Sequence, residues 1–120
     1  MNLFFSRVLT IALIFSGEAL AICAEMIAAR SNFVTSQLFL KVFLKIFLII
    51  IIGGVFLIFG YTLGFNTFKN IWIVSVISIT SILVIEPILA FTIFHQLPTK
   101  GAIAGLVFGA IGFISTIFIR

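Results

Sequence analysis

The stretch VLTIALIFSGEALAICAEMIAA, residues Val8–Ala29, has the length of a membrane span and contains two of the three acidic residues of the chain. A helix of about 20 apolar residues crosses the roughly 30 Å of hydrocarbon in a bilayer. Glu18 lies near the middle of this stretch, and Glu25 follows seven residues later. Because seven residues complete nearly two helical turns, both carboxyl groups are predicted to lie on one face of the helix.

An ionisable side chain at this depth is energetically unfavourable. It costs about 2.5–3.5 kcal/mol even on the lenient insertion scale, so it usually faces a bundle interior or a watery cavity. We therefore predict that Glu18 is a functional carboxyl. The alternative is a purely structural hydrogen bond between helices. Glu25 is nearer the helix end, where it either belongs to the same site or pairs with Arg30.

The composition is that of a membrane protein. Of the 120 residues, 63% are hydrophobic and 8% are charged, whereas soluble domains contain about 25% charged residues. The seven basic residues stand singly at the ends of apolar runs, which does not indicate nucleic-acid binding. Cys23 is the only cysteine, so we expect a packing residue and no metal or cofactor site. No nucleophile–base constellation or phosphate-binding loop is visible, so an enzyme is not expected.

Polar breaks divide the chain into four apolar runs. We predict an all-α, polytopic membrane protein with a single domain over residues 1–120, a four-helix transmembrane bundle that is completed by dimerisation. The predicted spans are residues 8–29, 44–65, 71–94 and 101–119. The short connection at residues 66–70 makes the second and third spans antiparallel neighbours, and four spans place both termini on one side.

Three parts of this division stay open. A signal peptide is the alternative for the first run, although Glu18 interrupts its apolar region. Residues 32–45 either lie flat on the membrane or form the first turns of the second span. The positive-inside rule does not fix the orientation, because the basic residues divide almost equally between the two sides. One side has Arg7, Lys69 and Arg120, and the other has Arg30, Lys41, Lys45 and Lys100.

The third span has a second polar face. Ser75 and Glu86 are eleven residues apart and therefore lie about 20° apart around a helix, with Trp72 about 40° from Glu86. Pro87 removes a backbone donor, so a kink or break is predicted just before it. Glu86 is either part of a gate or binding site, or simply the interfacial end of the span. In the second span, Tyr61 either faces the interface or points its hydroxyl inward.

The fourth span has glycines at regular four-residue spacing. Between helices in lipid there is no hydrophobic driving force, so small residues that allow close contact indicate the packing face. This face serves either packing within one chain or the contact between two copies. The residues concerned are Gly101, Gly105, Gly109 and Gly112.

From Gly53 onward the chain resembles the drug/metabolite transporter superfamily, and at this size its small multidrug resistance-like (EamA-like) four-helix members. A glycine-bearing second span leads through a short turn into a third span with an aromatic residue and serines, LGFNTFKNIWIVSVIS. A Glu-Pro pair, a polar loop and a glycine-rich last helix follow, EPILAFTIFHQLPTKGAIAGLVFGAIGFIST. The second glutamate of the first span, the Glu86-Pro87 pair and the link at residues 30–45 depart from the four-helix exporters.

The resemblance implies that Glu18 is the carboxyl that binds protons and substrate in turn, and that Trp72 contacts the substrate. Four helices are too few to enclose a path across the bilayer, so we expect a homodimer, or a pair with another small membrane protein. The expected function is proton-coupled export of a small cationic or amphipathic compound across the bacterial inner membrane. Two alternatives are a flippase subunit for a lipid-linked sugar (a polyprenyl-phosphate glycolipid), and a non-transporting adaptor whose glutamates pair with basic residues of a partner.

Overall fold

The chain is built entirely from helices. The computed structural model describes residues 2–31 and 39–119, and for residue 117 only the backbone. Within these residues the protein is all-helical, as predicted. The four α-helices are α1 (Leu3–Ser31), α2 (Phe39–Phe68), α3 (Ile71–Phe94) and α4 (Lys100–Phe118).

Three of these helices have the length and composition of membrane spans. Helices α1, α2 and α3 contain 29, 30 and 24 residues, and each is apolar enough to cross a bilayer. Many of their large apolar side chains are exposed on the surface of the single chain, as lipid-facing side chains are. The protein is therefore an integral membrane protein. Helix α4 is also apolar but shorter, and its crossing of the membrane remains a prediction.

The helices begin and end close to the predicted spans. Helix α3 has the predicted bounds, residues 71–94. Helix α1 begins five residues earlier than predicted, and α2 extends beyond residues 44–65 at both ends. The apolar pattern identifies the part of a helix at hydrocarbon depth, whereas internal hydrogen bonding continues into the interface.

The alternatives for residues 32–45 are partly resolved. Residues 39–45 form the first turns of α2, so this part of the link belongs to the second span. The rest of the link, residues 32–38, lies outside the described residues, as does Arg120.

Helices α1 and α2 form the closest helix pair. A Cβ atom added at Gly17 would lie 2.8 Å from the carbonyl oxygen of Gly53, so the two backbones are in direct contact there. Farther along α2, a Cβ atom at Gly60 would lie 2.7 Å from Cγ1 of Ile14. Without a Cβ atom, glycine allows two helices to approach this closely, which gains dispersion contacts that a lipid chain cannot supply equally well.

Helix α3 packs on another side of α1. Its buried residues, Val74, Ser78, Ser81 and Ile85, follow each other at intervals of three and four, which places them along one stripe. Val74 is fully buried, and a Cβ atom added at Gly64 of α2 would lie 3.0 Å from its Cγ2 atom. Helix α1 therefore lies at the centre of the packing, in contact with both α2 and α3.

The connections between the last three helices are short and capped. Lys69 has a positive φ of 59°, and the side chain of Asn70 accepts a hydrogen bond from the Trp72 N–H at 2.9 Å. His95 ends α3 with a φ of 56°, and Thr99 Oγ1 accepts a hydrogen bond from the Ala102 N–H at 3.1 Å. These side chains satisfy backbone donors at the helix starts.

Pro87 does not break α3. The helix continues from Ile71 to Phe94 with Pro87 inside it, so the predicted break is absent. The missing N–H removes one helical hydrogen bond, the one to the carbonyl of Leu83 four residues earlier. Neighbouring turns keep their own hydrogen bonds, and the helix passes through the site.

Helix α4 packs loosely on α3. A Cβ atom added at Gly109 would lie 2.9 Å from Cδ2 of Leu83. One added at Gly105 or Gly112 would meet no atom within 4 Å, and one at Gly101 would meet only the Thr99 hydroxyl, at 4.0 Å. Of the predicted packing glycines, only Gly109 is therefore in close contact within the chain, and a contact between two copies remains a prediction for the others.

Gly17→Ala should destabilise the protein by about 1–3 kcal/mol, because the new methyl group has to displace the Gly53 backbone. Gly54→Ala is the matched control on α2, since a Cβ atom there meets nothing within 4 Å. Thermal unfolding in detergent, followed by circular dichroism, measures the difference. Equal melting temperatures for the two variants would contradict the close contact of α1 with α2.

Both termini should be labelled from the same side of the membrane if α4 crosses it. Asn2→Cys and Ile119→Cys, each in a Cys23→Ser background, can be tested in right-side-out and inverted vesicles with a membrane-impermeant maleimide. The two positions should react together in one vesicle type when the chain is inserted in one orientation. Reaction in opposite vesicle types would mean that three helices cross and α4 does not.

Candidate functional site

The position of Glu18 follows from the packing of its neighbour. Gly17 faces α2, and one residue further turns a helix by about 100°, which directs Glu18 away from α2. Glu18 lies 15 residues from Leu3 and 13 from Ser31, near the middle of α1. Its side chain is partly buried, and it faces α3.

Ser78 of α3 contacts this carboxyl group. The Ser78 hydroxyl donates a hydrogen bond to Oε1 of Glu18 at 2.6 Å, a distance typical of a strong O–H···O⁻ bond. Ser78 itself is buried, with 5% of its surface exposed. The bond joins α1 and α3 in the interior of the helix packing.

The Ser78 hydrogen bond differs from those of the other helix hydroxyl groups. Hydroxyls in helices usually donate to a carbonyl of the preceding turn. Thr10 and Ser81, also buried, do so at 2.8 Å, to the carbonyls of Ser6 and Ile77. Half-buried or exposed hydroxyls on α2, α3 and α4 bond back in the same way: Thr62, Thr80, Thr92, Ser115 and Thr116. Among the described residues, Ser78 alone donates to a side chain on another helix.

The hydrogen bond from Ser78 leaves most acceptor positions of the Glu18 carboxyl available for a ligand. An ionised carboxylate offers about four acceptor positions, and Ser78 occupies one of them on Oε1. The partly exposed side chain can therefore accept a proton or a cation on the remaining positions. A hydroxyl that holds one oxygen restricts the rotation of the group and keeps it between α1 and α3.

Ser75, Trp72 and Tyr61 do not form hydrogen bonds with Glu18. Ser75 is half-buried on α3, one turn before Ser78. Tyr61 is half-buried on α2. Trp72 is 74% exposed and lies six residues before Ser78, about 9 Å along the helix axis. The structure thus brings Ser78 to Glu18. Trp72, the aromatic residue predicted for the site, lies at a different position along the axis of α3.

Trp72 lines a separate cavity that is formed mainly by α3 and α4, with Ile11 of α1 and Phe68 of α2 also in its lining. The cavity has a volume of about 640 Å³ and lies where the beginning of α3 faces the end of α4. Its walls are mainly aromatic and aliphatic, with one amide and one hydroxyl group. The lining includes Phe68, Asn70, Trp72, Phe113 and Thr116.

Glu25 and Glu86 are both exposed in the single chain. Glu25 lies seven residues beyond Glu18, about 10 Å farther along α1, and no ion pair joins it to Arg30. Glu86 lies eight residues beyond Ser78, about 12 Å farther along α3, where it lines a second cavity between α3 and α4. The three carboxyl groups therefore do not form one cluster, and no group of His, Cys, Asp or Glu among the described residues fits a metal ion.

Two features of the site were not assigned from the sequence. Ser78 lies about 80° from Glu86 around α3, away from the stripe that linked Glu86 to Ser75. Gly17 directs Glu18 towards α3, yet it stands alone in a run of larger residues. The only signal in the sequence is the direct Gly17-Glu18 adjacency, which combines a small residue with an ionisable one in mid-span.

Comparison with protein-family models, with curated proteins and with solved structures finds no match to this chain. The resemblance to the drug/metabolite transporter superfamily therefore remains an expectation from the sequence.

Proposed function

We propose that the chain is a small membrane transporter of the drug/metabolite transporter type, which exports a small cationic or amphipathic compound in exchange for protons. The observation that supports it is the 2.6 Å hydrogen bond from Ser78 to Glu18 in the middle of α1. A carboxyl group held at bilayer depth, between two helices and still partly exposed, binds either a proton or a cation. If a proton and a cation compete for this one carboxyl group, the movement of one across the membrane is coupled to the movement of the other.

The exchange follows from charge balance at Glu18. With a proton bound, the site is neutral, and its exposure to hydrocarbon costs far less than that of an ionised carboxylate. Loss of the proton leaves a carboxylate that a cation neutralises in turn. A site that changes sides only when it is neutral moves one cation out for each proton that enters, and unaccompanied movement of the charged site is disfavoured.

The proposed transport unit is a homodimer, or a pair with another small membrane protein, in the bacterial inner membrane. One chain places Glu18 against α3 but has only four helices, one of them loosely attached. A second copy would supply further walls for a path across the bilayer and a second Glu18. Two open glycine positions of α4, Gly101 and Gly112, are available for such a contact, because a Cβ atom added there would meet no atom within 4 Å apart from the Thr99 hydroxyl.

Glu18→Gln should abolish exchange while leaving the protein folded. The amide oxygen still accepts the Ser78 hydrogen bond but the group cannot ionise, so stability should change by less than about 1 kcal/mol. Proteoliposomes with an acidic interior and an enclosed pH dye are mixed with a series of alkyl- and arylammonium ions. The wild-type protein should show internal alkalinisation that depends on the added cation, and Glu18→Gln should match empty vesicles.

Glu18→Asp is the matched variant, because it keeps the acid and shortens the side chain by one methylene. It should retain exchange with a changed pH dependence. Cation-dependent alkalinisation by Glu18→Gln would refute the mechanism. A folding defect in both variants, with normal exchange by the folded fraction, would assign Glu18 a purely structural role.

Ser78→Ala should lower the free energy of unfolding by about 1.5–3 kcal/mol, the usual contribution of a hydrogen bond to a charged group. Ser78→Thr keeps the hydroxyl and serves as the control. Combining Ser78→Ala with Glu18→Ala in a double-mutant cycle should give a coupling energy of at least about 1 kcal/mol. Strictly additive effects, measured by unfolding in mixed detergent, would mean that the two side chains do not interact.

A further inference from the structure

The second half of α3, the loop that follows it and the first half of α4 line an open, groove-shaped cavity that is separate from Glu18. Its volume is about 510 Å³, and most of its wall is hydrocarbon. The apolar part of the wall includes Ile82, Leu83, Ala90, Phe91, Ala102 and Leu106. The polar groups are Glu86 and, in the loop before α4, Gln96 and Thr99.

Glu86 gives this cavity a negative charge without a partner. Among the described residues it is the only ionisable one in the lining, and no described basic side chain forms an ion pair with it. Glu86 lies eight residues before Phe94, about 12 Å inside the end of α3. A carboxylate at such a depth in a span is costly unless a counter-charge or water accompanies it.

Pro87 also lines this cavity, directly after Glu86. Because proline has no N–H, the carbonyl of Leu83 four residues earlier lacks its usual helical donor. The described side chains that α3 contributes to the wall are apolar apart from Glu86, so the carboxyl group is the polar contact that α3 offers to a ligand.

Size and charge together select the class of ligand. Cavities of about 300–1,000 Å³ accommodate small organic molecules, whereas a metal ion needs several oxygen ligands within about 2.0–2.6 Å. An anion would be repelled by Glu86, and a neutral molecule would leave the carboxylate without a counter-charge. We propose that the cavity between α3 and α4 is a second binding site, for a hydrophobic organic monocation whose charge lies against Glu86 and whose apolar part lies between the two helices.

This site does not depend on exchange at Glu18. Ser78, the partner of Glu18, and Glu86 are separated by eight residues of α3, and Glu18 does not line the cavity. A variant that has lost the Glu18 carboxyl should therefore keep the second site intact. The two proposals can fail separately.

Photolabelling of the full chain in lipid nanodiscs tests the proposal. The probe is (4-benzoylbenzyl)trimethylammonium, a photoreactive hydrophobic monocation, and 4-methylbenzophenone is its neutral analogue. Mass spectrometry of the labelled peptides should locate the cation at residues 82–91 and 96–106. The neutral analogue should label these peptides at least about tenfold less, since it gains nothing from the carboxylate.

Charge and volume are then varied separately. Glu86→Gln should reduce labelling by the cation at least about tenfold, and Glu86→Asp should retain most of it. Ala102→Phe fills the cavity and should also reduce labelling, whereas Ala104→Phe, on an exposed residue of α4 outside the lining, should not. Labelling in the Glu18→Gln variant should equal that of the wild type.

Three results would overturn the proposal. The first is unchanged labelling of these peptides in Glu86→Gln. The second is equal labelling by the cation and its neutral analogue, which would mean that the cavity takes up apolar molecules without regard to charge. The third is exclusion of the cation by another copy of the chain, visible as labelling only under conditions that separate the copies.

Discussion

The direct backbone contact between Gly17 and Gly53 is the constraint on which the rest of the packing depends. It fixes how far α1 and α2 are offset along their axes and which side of α1 faces α2. The next residue of α1 is then turned towards α3, where the buried Ser78 hydroxyl meets it. A larger side chain at either glycine would separate the helices and rotate the carboxyl group away from its partner. The packing of Gly17 therefore determines the position of Glu18, an ionisable residue that is energetically unfavourable in a membrane.

The sequence predicts where the helices lie along the chain better than it predicts how each helix is rotated about its axis relative to its neighbours. The bounds of α3 and the mid-span position of Glu18 follow from the hydrophobic pattern, because burial in hydrocarbon acts on each span separately. The choice among Ser75, Ser78 and Ser81 does not follow, because it depends on how α3 is turned relative to α1. That rotation is set by contacts such as the one between Gly64 and Val74, which bring together residues distant in the sequence.

The glycines illustrate the same limit. The glycine spacing of α2 predicts close approach of a neighbouring helix at Gly53, Gly54, Gly60 and Gly64, and of these only Gly54 makes no close contact. The regular spacing of α4 predicts a packing face as well, yet within the chain only Gly109 of that helix is in close contact. Helix α4 instead meets α3 around Gly109 and Leu83, with cavities towards both ends of the helix pair. Small residues indicate where helices are able to approach each other, and the partner helix decides which of these positions are used. The two cavities exist because α4 makes few close contacts with its own chain.

The connection between α2 and α3 bears on how the protein enters the membrane. Only Lys69 and Asn70 separate the two helices, and the Lys69 N–H still donates to the Phe65 carbonyl at 2.9 Å. With so little free chain between them, α2 and α3 form an antiparallel hairpin, so the two helices run in opposite directions whichever way the pair is inserted. Lys69 is the charge at the tip of this hairpin, and the side of the membrane on which it lies fixes the direction of both helices.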